Sequence, residues 1–309
     1  MKRWVALLVS FLSPCLGYTP WYTGTFLEFS GANTAPGHTY LETFTSATVV
    51  FGEFQNNWSL DSSANPTSFT TNTVWFGWGM TMWLDFTLVG SLVYADGGDF
   101  GTSTYFAPIQ LFFGLQFAQS DPETWCPYVR LLLVEEFPST PYDDLGPNMS
   151  FAPVSNGSFV TGFSFIIDKI LFLKTMHPTD FCLNLNYSYQ TKAHITGVSI
   201  FGGDIQTDMQ THPGGIYSVN LSIQISLNQN WVFESDINYT YQGATSLTGN
   251  LGSDSPATPT LASQLISLTP GFEYNFSQSL GVFAGAWVTP WGQNTNGIFG
   301  VYFSFDGNF

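Results

Sequence analysis

The 309-residue chain is 44% hydrophobic and 17% aromatic but only 9% charged, with a formal net charge of −16. Scarce charge with abundant aromatics excludes a disordered chain, and the acidic balance excludes nucleic-acid binding, which needs Lys and Arg against phosphate. No run of about 18 or more apolar residues accompanies the low charge, which excludes a helical membrane protein and leaves a large soluble β-protein or a transmembrane β-barrel.

The first residues read as an export signal. Lys2 and Arg3 form a basic start, Trp4 to Leu12 a short apolar core, and Ser13-Pro14-Cys15-Leu16-Gly17 supplies small residues before a cut after Gly17. Pro14 beside Cys15 does not suit a lipidation signal. The expected organisation is a signal peptide at 1–17, an N-terminal periplasmic or plug segment at 18–37, and a transmembrane barrel at 38–309. Without the signal, the basic residues are Arg130, Lys169, Lys174 and Lys192. Cys126 and Cys182 allow one disulfide in an exported protein, a pairing that spacing does not decide, and their surroundings offer no metal-site spacing.

Period-two alternation bounded by turn residues predicts twelve strands. In chain order they are His38–Phe54, Asn72–Thr81, Trp83–Ala95, Phe106–Ala118, Cys126–Phe137 and Phe159–Leu173. Then follow Thr179–His194, Ile216–Leu227, Trp231–Gln242, Gln264–Tyr274, Leu280–Thr289 and Ile298–Phe309. A tilted strand needs about ten residues to cross a bilayer, which most of these supply. An N-terminal contribution making fourteen strands stays open.

The connections sort by length. Met82, Asn228-Gln229-Asn230 and Asn275-Phe276-Ser277-Gln278-Ser279 make short turns. Gln55–Thr71, Asp96–Tyr105, Pro138–Ser158, Ile195–Gly215 and Gly243–Ser263 make long loops rich in Gly, Pro, Asn, Asp and Ser. Outer-membrane barrels place short turns in the periplasm and long loops outside, whereas a soluble sandwich has no reason to sort them.

Face by face, Tyr217, Val219, Leu221, Ile223 and Ile225 oppose Ser218, Asn220, Ser222, Gln224 and Ser226, and comparable splits recur at 109–117 and 181–192. A soluble sandwich would also alternate. Here, however, the polar faces carry Ser, Asn, Gln and Gly rather than the Lys and Glu that solubilise ordinary surfaces. Closing the sheet removes the exposed edges that lipid does not tolerate. Aromatics near strand ends (Trp58, Trp75, Trp78, Trp83, Tyr94, Trp125, Trp231, Trp287) suit interfacial girdles. The last strand sets Phe299, Val301, Phe303 and Phe305 against Gly300, Tyr302 and Ser304 and ends on Phe309. Phe303, Phe305 and Phe309 are read as a C-terminal signal for barrel-assembly machinery. The fold expected is all-β: one antiparallel transmembrane barrel of about 12 strands in the cell outer membrane.

Several segments resemble an outer-membrane family labelled "meta-pathway of phenol degradation", grouped with transporters. The likeness runs through Trp21-Tyr22-Thr23-Gly24, Pro36-Gly37-His38-Thr39 and Trp83-Leu84-Asp85-Phe86-Thr87-Leu88-Val89. Its best stretch is Val129-Arg130-Leu131-Leu132-Leu133-Val134-Glu135-Glu136-Phe137-Pro138, followed by Tyr142, Leu145 and Pro147. Where relatives carry Thr-Gly and a basic residue after Phe-Pro, this chain has Ser139-Thr140-Pro141. The resemblance implies a monomeric barrel passing small molecules.

With the polar faces inward, the lumen gains the acids Glu42, Asp85, Glu136, Asp168, Glu234, Asp236, Glu273 and Asp306, with Arg130 and Lys192 as cationic partners. Carboxylates facing lipid would cost several kcal/mol near the midplane, so inward placement is expected whatever the function. The functional expectation is a passive outer-membrane channel for small solutes, cation-preferring because charged rings set selectivity. The alternatives are a plugged structural or adhesive barrel, and a channel for hydrophobic compounds lined by Phe112, Phe283 and Trp287 with residues 18–36 tucked inside. A membrane-embedded hydrolase is disfavoured, because His38, His177, His194 and His212 join no Ser-His-acid constellation. No cofactor, catalytic residue or metal site is expected, and outer-membrane lipid is the expected surrounding.

Overall fold

The structure, a computed structural model, describes residues 21–22, 29–97, 101–121, 124–139, 141–145, 155–173, 175, 177–252 and 256–309. The expected signal peptide lies outside the described residues. The strands are β1 (Thr39–Phe54), β2 (Leu60–Thr81), β3 (Leu84–Asp96), β4 (Thr102–Phe106), β5 (Ile109–Ala118), β6 (Tyr128–Phe137), β7 (Val160–Leu171) and β8 (Thr179–Gln190). They continue with β9 (Ala193–Thr196), β10 (Asp208–His212), β11 (Ile216–Ser226), β12 (Trp231–Gln242), β13 (Ser246–Asn250), β14 (Ser263–Ser277), β15 (Leu280–Gln293) and β16 (Thr295–Asn308).

Every barrel pair is antiparallel, and the order β2-β1-β16-β15-β14-β12-β11-β8-β7-β6-β5-β3 closes through β2–β3 pairing into the twelve-stranded barrel. The seam joins first strand to last, from Tyr40↔Asn308 to Phe54↔Thr295. Closure gives each strand two neighbours, so backbone donors and acceptors are satisfied within the wall.

The outer face is apolar. On β16, Phe299, Val301, Phe303 and Phe305 are exposed while Gly300, Tyr302, Ser304 and Asp306 are buried; on β11, Val219 and Leu221 are exposed while Asn220, Ser222 and Gln224 are buried. In a soluble sandwich the burial would be inverted. Exposed aromatics gather at both rims: Trp78, Trp83, Phe117, Trp125, Phe276 and Phe309 at the short-turn end, and Phe106, Phe137, Phe159, Tyr217 and Trp291 at the other. Such girdles seat a barrel at the two lipid–water interfaces. Trp75 and Trp287 are not in them. Trp75 shares the parity of the buried Thr73 and Gly77 and faces the lumen, and Trp287 shares that of the buried Phe283 and Thr289.

Several boundaries differ from the sequence reading, each for a local reason. Gln55–Thr71 is not a loop: β2 begins at Leu60 and continues the β1–β2 hairpin, with Gly52↔Ser62 paired above an irregularity that absorbs the residues between Ser62 and Thr67. The fourth strand is broken. Leu92 pairs with Phe106 and Val89 with Gln110, so Ala107-Pro108-Ile109 face only Gly90 and Ser91. Pro108 has no N–H for the ladder, and the extra residue bulges there.

The predicted seventh strand ends at Gln190 rather than His194. Residues 193–196 turn away as β9 and join β10 and β13 in a separate sheet ordered β13-β10-β9. That sheet has its own small core of Ala193, Ile195, Met209 and Leu247, with Tyr142 packed against it. Asp143 fastens it to the loop after β6, its Oδ2 accepting from the Thr196 amide at 3.1 Å and hydroxyl at 2.9 Å. Leu145 then packs on Val93, Ala95 and Tyr105. The long loops thus form a knit cap. Cys126 and Cys182 are both free thiols, the first exposed and the second buried in the lumen.

Leu221→Arg places a charge on the outer face at mid-strand and is expected to cost roughly 2–4 kcal/mol. Reversible urea unfolding in lipid vesicles measures it; unchanged stability would mean Leu221 does not face lipid.

Candidate functional site

Strand parity aims the chemically active side chains inward, and strand register sets their height. Asp168 pairs with Cys182, Cys182 with Ser222, Ser222 with Asp236 and Asp236 with Thr269, a continuous rung across five strands. One rung nearer the short turns, Asp180 pairs with Gln224 and Gln224 with Glu234. Glu42 sits opposite Asp306 across the seam. Glu273 follows near the end of β14, paired with Phe283 of β15. These acids form a belt in the half of the lumen next to the short turns.

The sequence-derived acids do not all share that belt. Glu136 lies near the far end of β6, where Gln110 Nε2 donates to its Oε2 at 2.7 Å. Glu135 faces the other way and accepts from Thr161 Oγ1 at 2.7 Å. Lys192 is exposed between β8 and β9, outside the lumen, because the strand that would have carried it inward ends two residues earlier. Among the described residues, Arg130 is the buried basic side chain of the lumen wall. Lys169 faces outward at the short-turn end and donates to the carbonyls of Asp121 and Cys126. Asp180 belongs to the belt although the sequence reading passed over it; its parity with Asn184 and Asn186 was the available signal.

Arg130 is committed. Its Nη2 donates to Asp85 Oδ1 and Oδ2 at 2.8 and 2.6 Å, a buried fork. A buried pair repays its desolvation only when further hydrogen bonds complete it. Here they come in part from the N-terminal segment: Nη1 donates to the carbonyls of Ser30 and Ala32 at 3.1 and 3.2 Å, while Nε is buried without a partner in the protein. The same segment donates its Gly31 amide to Asp168 Oδ2 at 2.7 Å, its Asn33 amide to Gln116 Oε1 at 2.9 Å and its Thr34 amide to Asp85 Oδ2 at 2.9 Å. Gly114 leaves room for this fork, since a Cβ there would stand 1.9 Å from Asp85 Oδ1 and 2.6 Å from Arg130 Nη2.

Phe29 completes the anchor. Its ring lies 4.6 Å from that of Phe112 and 5.0 Å from that of Trp75, within a cluster that includes Val89, Leu132, Ile166 and Cys182. The Arg130 guanidinium carbon is 5.7 Å from the Phe29 ring centre. The lumen is therefore chemically two-sided. β2, β3 and β5 to β7, with Cys182 of β8, offer apolar groups and a bound segment; β8, β11, β12 and β14 to β16 offer amides, hydroxyls and carboxyls. Alternation alone did not reveal this, because the inward residues Val89, Phe112, Leu132 and Ile166 are as apolar as their outward neighbours.

On the polar side, Asn184 Oδ1, both side-chain polar atoms of Asn220, Ser222 Oγ and Thr269 Oγ1 are buried without a hydrogen-bond partner in the protein. Buried polar atoms of that kind require water or a solute. Among the described residues no group of His, Cys, Asp and Glu has a metal-binding arrangement, and His194 pairs with Asp208 on the exposed cap.

No family model matches the chain, and no curated protein matches it. The family label suggested by Val129–Pro138 therefore rests on resemblance alone. Among solved structures, the COG4313 outer membrane channel from Pseudomonas putida F1 is similar over 90% of this chain and 97% of its own, with a TM-score of 0.66 at 11% identity. The transport unit of the autotransporter AIDA-I from Escherichia coli follows at TM-score 0.49 and 9% identity, over 88% of this chain and 90% of its own. The Pseudomonas putida toluene transporter TodX follows at TM-score 0.39 and 12% identity, over 96% and 97%. The first likeness shows the fold, and with the closed apolar-skinned wall it makes the chain an outer-membrane β-barrel.

Arg130→Met leaves Asp85 as an uncompensated buried charge and is expected to cost about 3–5 kcal/mol. Adding Asp85→Asn is expected to recover much of that loss. Urea unfolding in vesicles measures both variants; a double variant no more stable than the single one would contradict the pairing.

Proposed function

We propose that the chain is an outer-membrane channel that passes small solutes passively and prefers cations. The observation carrying this reading is the surplus of acidic over basic side chains in the lumen wall among the described residues. Glu42, Asp168, Asp180, Glu234, Asp236, Glu273 and Asp306 line one end, while the guanidinium of Arg130 is already engaged with Asp85. A low-dielectric wall around like charges focuses the field along the axis and raises the local concentration of counter-ions. Amides and hydroxyls on β8, β11 and β14 supply hydrogen-bonding surface for a hydrated solute. In this reading the N-terminal segment narrows the passage from the side it occupies, and Phe303, Phe305 and Phe309 on the outer face serve the assembly machinery.

A second reading, a structural or adhesive barrel sealed by its own N-terminal segment, draws on the Phe29 anchor. Conductance separates the two. The refolded barrel in planar bilayers is expected to show discrete current steps with a reversal potential favouring K⁺ over Cl⁻. Asp236→Asn and Asp306→Asn are each expected to lower that preference by a factor of about two to five, the scale of one partly screened charge at close range. Glu136→Gln, at the far end and already held by Gln110, is expected to change it less. No steps above leak would support the sealed barrel; steps indifferent to the substitutions would remove these acids from selectivity.

A further inference from the structure

Between the acidic belt and the long loops, the lumen wall carries a neutral lane. Asn184 and Asn186 of β8, Ser218 and Asn220 of β11, and Asn238 and Thr240 of β12 share the inward parity. Strand pairing sets them in two adjacent rows. Asn186, Ser218 and Thr240 make the row nearer the long loops, and Asn184, Asn220 and Asn238 the row nearer the short turns. The first row is half-buried and open to the lumen, whereas the second is buried.

Hydrogen bonds polarise the open row. Asn186 Nδ2 donates to Ser218 Oγ at 2.9 Å, which leaves the Ser218 hydroxyl its own hydrogen to give. Thr240 Oγ1 gives its hydrogen to Asn238 Oδ1 at 2.7 Å, which leaves its lone pairs to accept. Ser218 and Thr240 are direct cross-strand partners, a relation that holds Cβ atoms about 4.5–5.5 Å apart. A donor and an acceptor thus stand side by side on a surface that reaches the lumen. A second feature shows that the lane is not saturated by its own members. Both side-chain polar atoms of Asn220, and Asn184 Oδ1, are buried without a hydrogen-bond partner in the protein.

None of the six side chains is a carboxylate that would hold a metal cation, a basic group that would hold an anion, or a ring that would hold an apolar solute. Neighbouring hydroxyls on a solute fit better, because each both donates and accepts and neither carries charge that must be stripped of water. We propose that this lane binds uncharged polyhydroxylated molecules of the sugar and polyol class. Ser218 donates to one solute hydroxyl and Thr240 accepts from its neighbour. The proposal names a substrate class for the channel read above, and rests on that reading only for how a solute arrives.

The test is a saturation-transfer NMR titration of the folded barrel with methyl α-D-glucopyranoside. The detergent is lauryldimethylamine oxide, whose headgroup is not a sugar. Tetrahydropyran-2-methanol, the same ring with one hydroxyl, is the control. The glucoside is expected to bind at least about tenfold more tightly, the worth of one or two neutral hydrogen bonds. Ser218→Ala and Thr240→Val each remove one hydroxyl with little change of shape, and each is expected to weaken the glucoside about two- to tenfold. Asp306→Asn, on the acidic belt, is expected to leave its affinity unchanged.

Heat-modifiable migration on gels identifies variants that fold, and if none does, the two-probe contrast on the unaltered barrel decides. Equal affinity for the two probes, or no detectable glucoside binding, would leave the lane to water and overturn the proposal. Ser218→Ala and Thr240→Val variants that bind like the parent, or a loss with Asp306→Asn, would overturn it as well. Binding in detergent does not depend on conduction. A barrel that binds the glucoside but carries no current upholds this site and removes the channel reading; a conducting barrel that does not discriminate the probes does the reverse.

Discussion

The ladder between β1 and β16 is the contact on which the remaining structure depends. It pairs the two ends of the sheet from Tyr40↔Asn308 to Phe54↔Thr295, so no strand of the twelve presents an open edge to hydrocarbon. Each unsatisfied backbone group in lipid would cost several kcal/mol, and closure removes that cost for the entire wall at once. Once the backbone is self-sufficient, side chains divide by parity alone. Apolar groups such as Val219, Leu221, Val301 and Phe303 turn outward, and Asn220, Ser222, Ser304 and Asp306 turn inward. The scarcity of Lys and Arg follows, since neither face of such a wall resembles the surface of a soluble protein.

Inside the wall, a single basic residue organises the approach of the N-terminal segment. Arg130 joins the Asp85 carboxylate to the carbonyls of Ser30 and Ala32, and Gly114 leaves it the room to do so. Phe29 then fills an apolar niche that a polar-lined barrel would otherwise have no use for. Among the described residues, the arrangement commits Arg130, the buried cation of the lumen wall, to structure. The acids of β8, β12, β14 and β16 are the ones that the proposed channel reading assigns to its passage.

Much of this was legible in the sequence because β-structure writes its burial pattern with period two. Trp231–Gln242 emerged with the bounds that alternation drew, and the inward parity of Glu42, Asp85, Arg130, Glu234, Asp236, Glu273 and Asp306 followed from the same pattern. What alternation does not carry is where a strand ends for tertiary reasons. Leu60–Thr71 is polar enough to read as a loop yet pairs with β1, because a hairpin projecting beyond the membrane needs no apolar face. Ala193–Thr196 continues the pattern of β8 but belongs to the cap, and Lys192 leaves the lumen with it. Trp75 and Trp287 have the composition of girdle residues and the parity of lumen residues; parity prevails. The Phe29 anchor had no strand periodicity to announce it.

The central claim is the orientation of the two faces, and consecutive positions on β11 test it most directly. Spin labels placed singly at residues 217 through 224 of the barrel in lipid vesicles, with Cys126 and Cys182 changed to Ser, report collisions with oxygen dissolved in lipid and with a water-soluble nickel chelate. Labels replacing Tyr217, Val219, Leu221 and Ile223 are expected to favour oxygen, and those replacing Ser218, Asn220, Ser222 and Gln224 to be shielded from it, with a strict two-residue period. Oxygen access at the even positions, or protection from lipid at all eight, would contradict a barrel with its apolar face in the membrane.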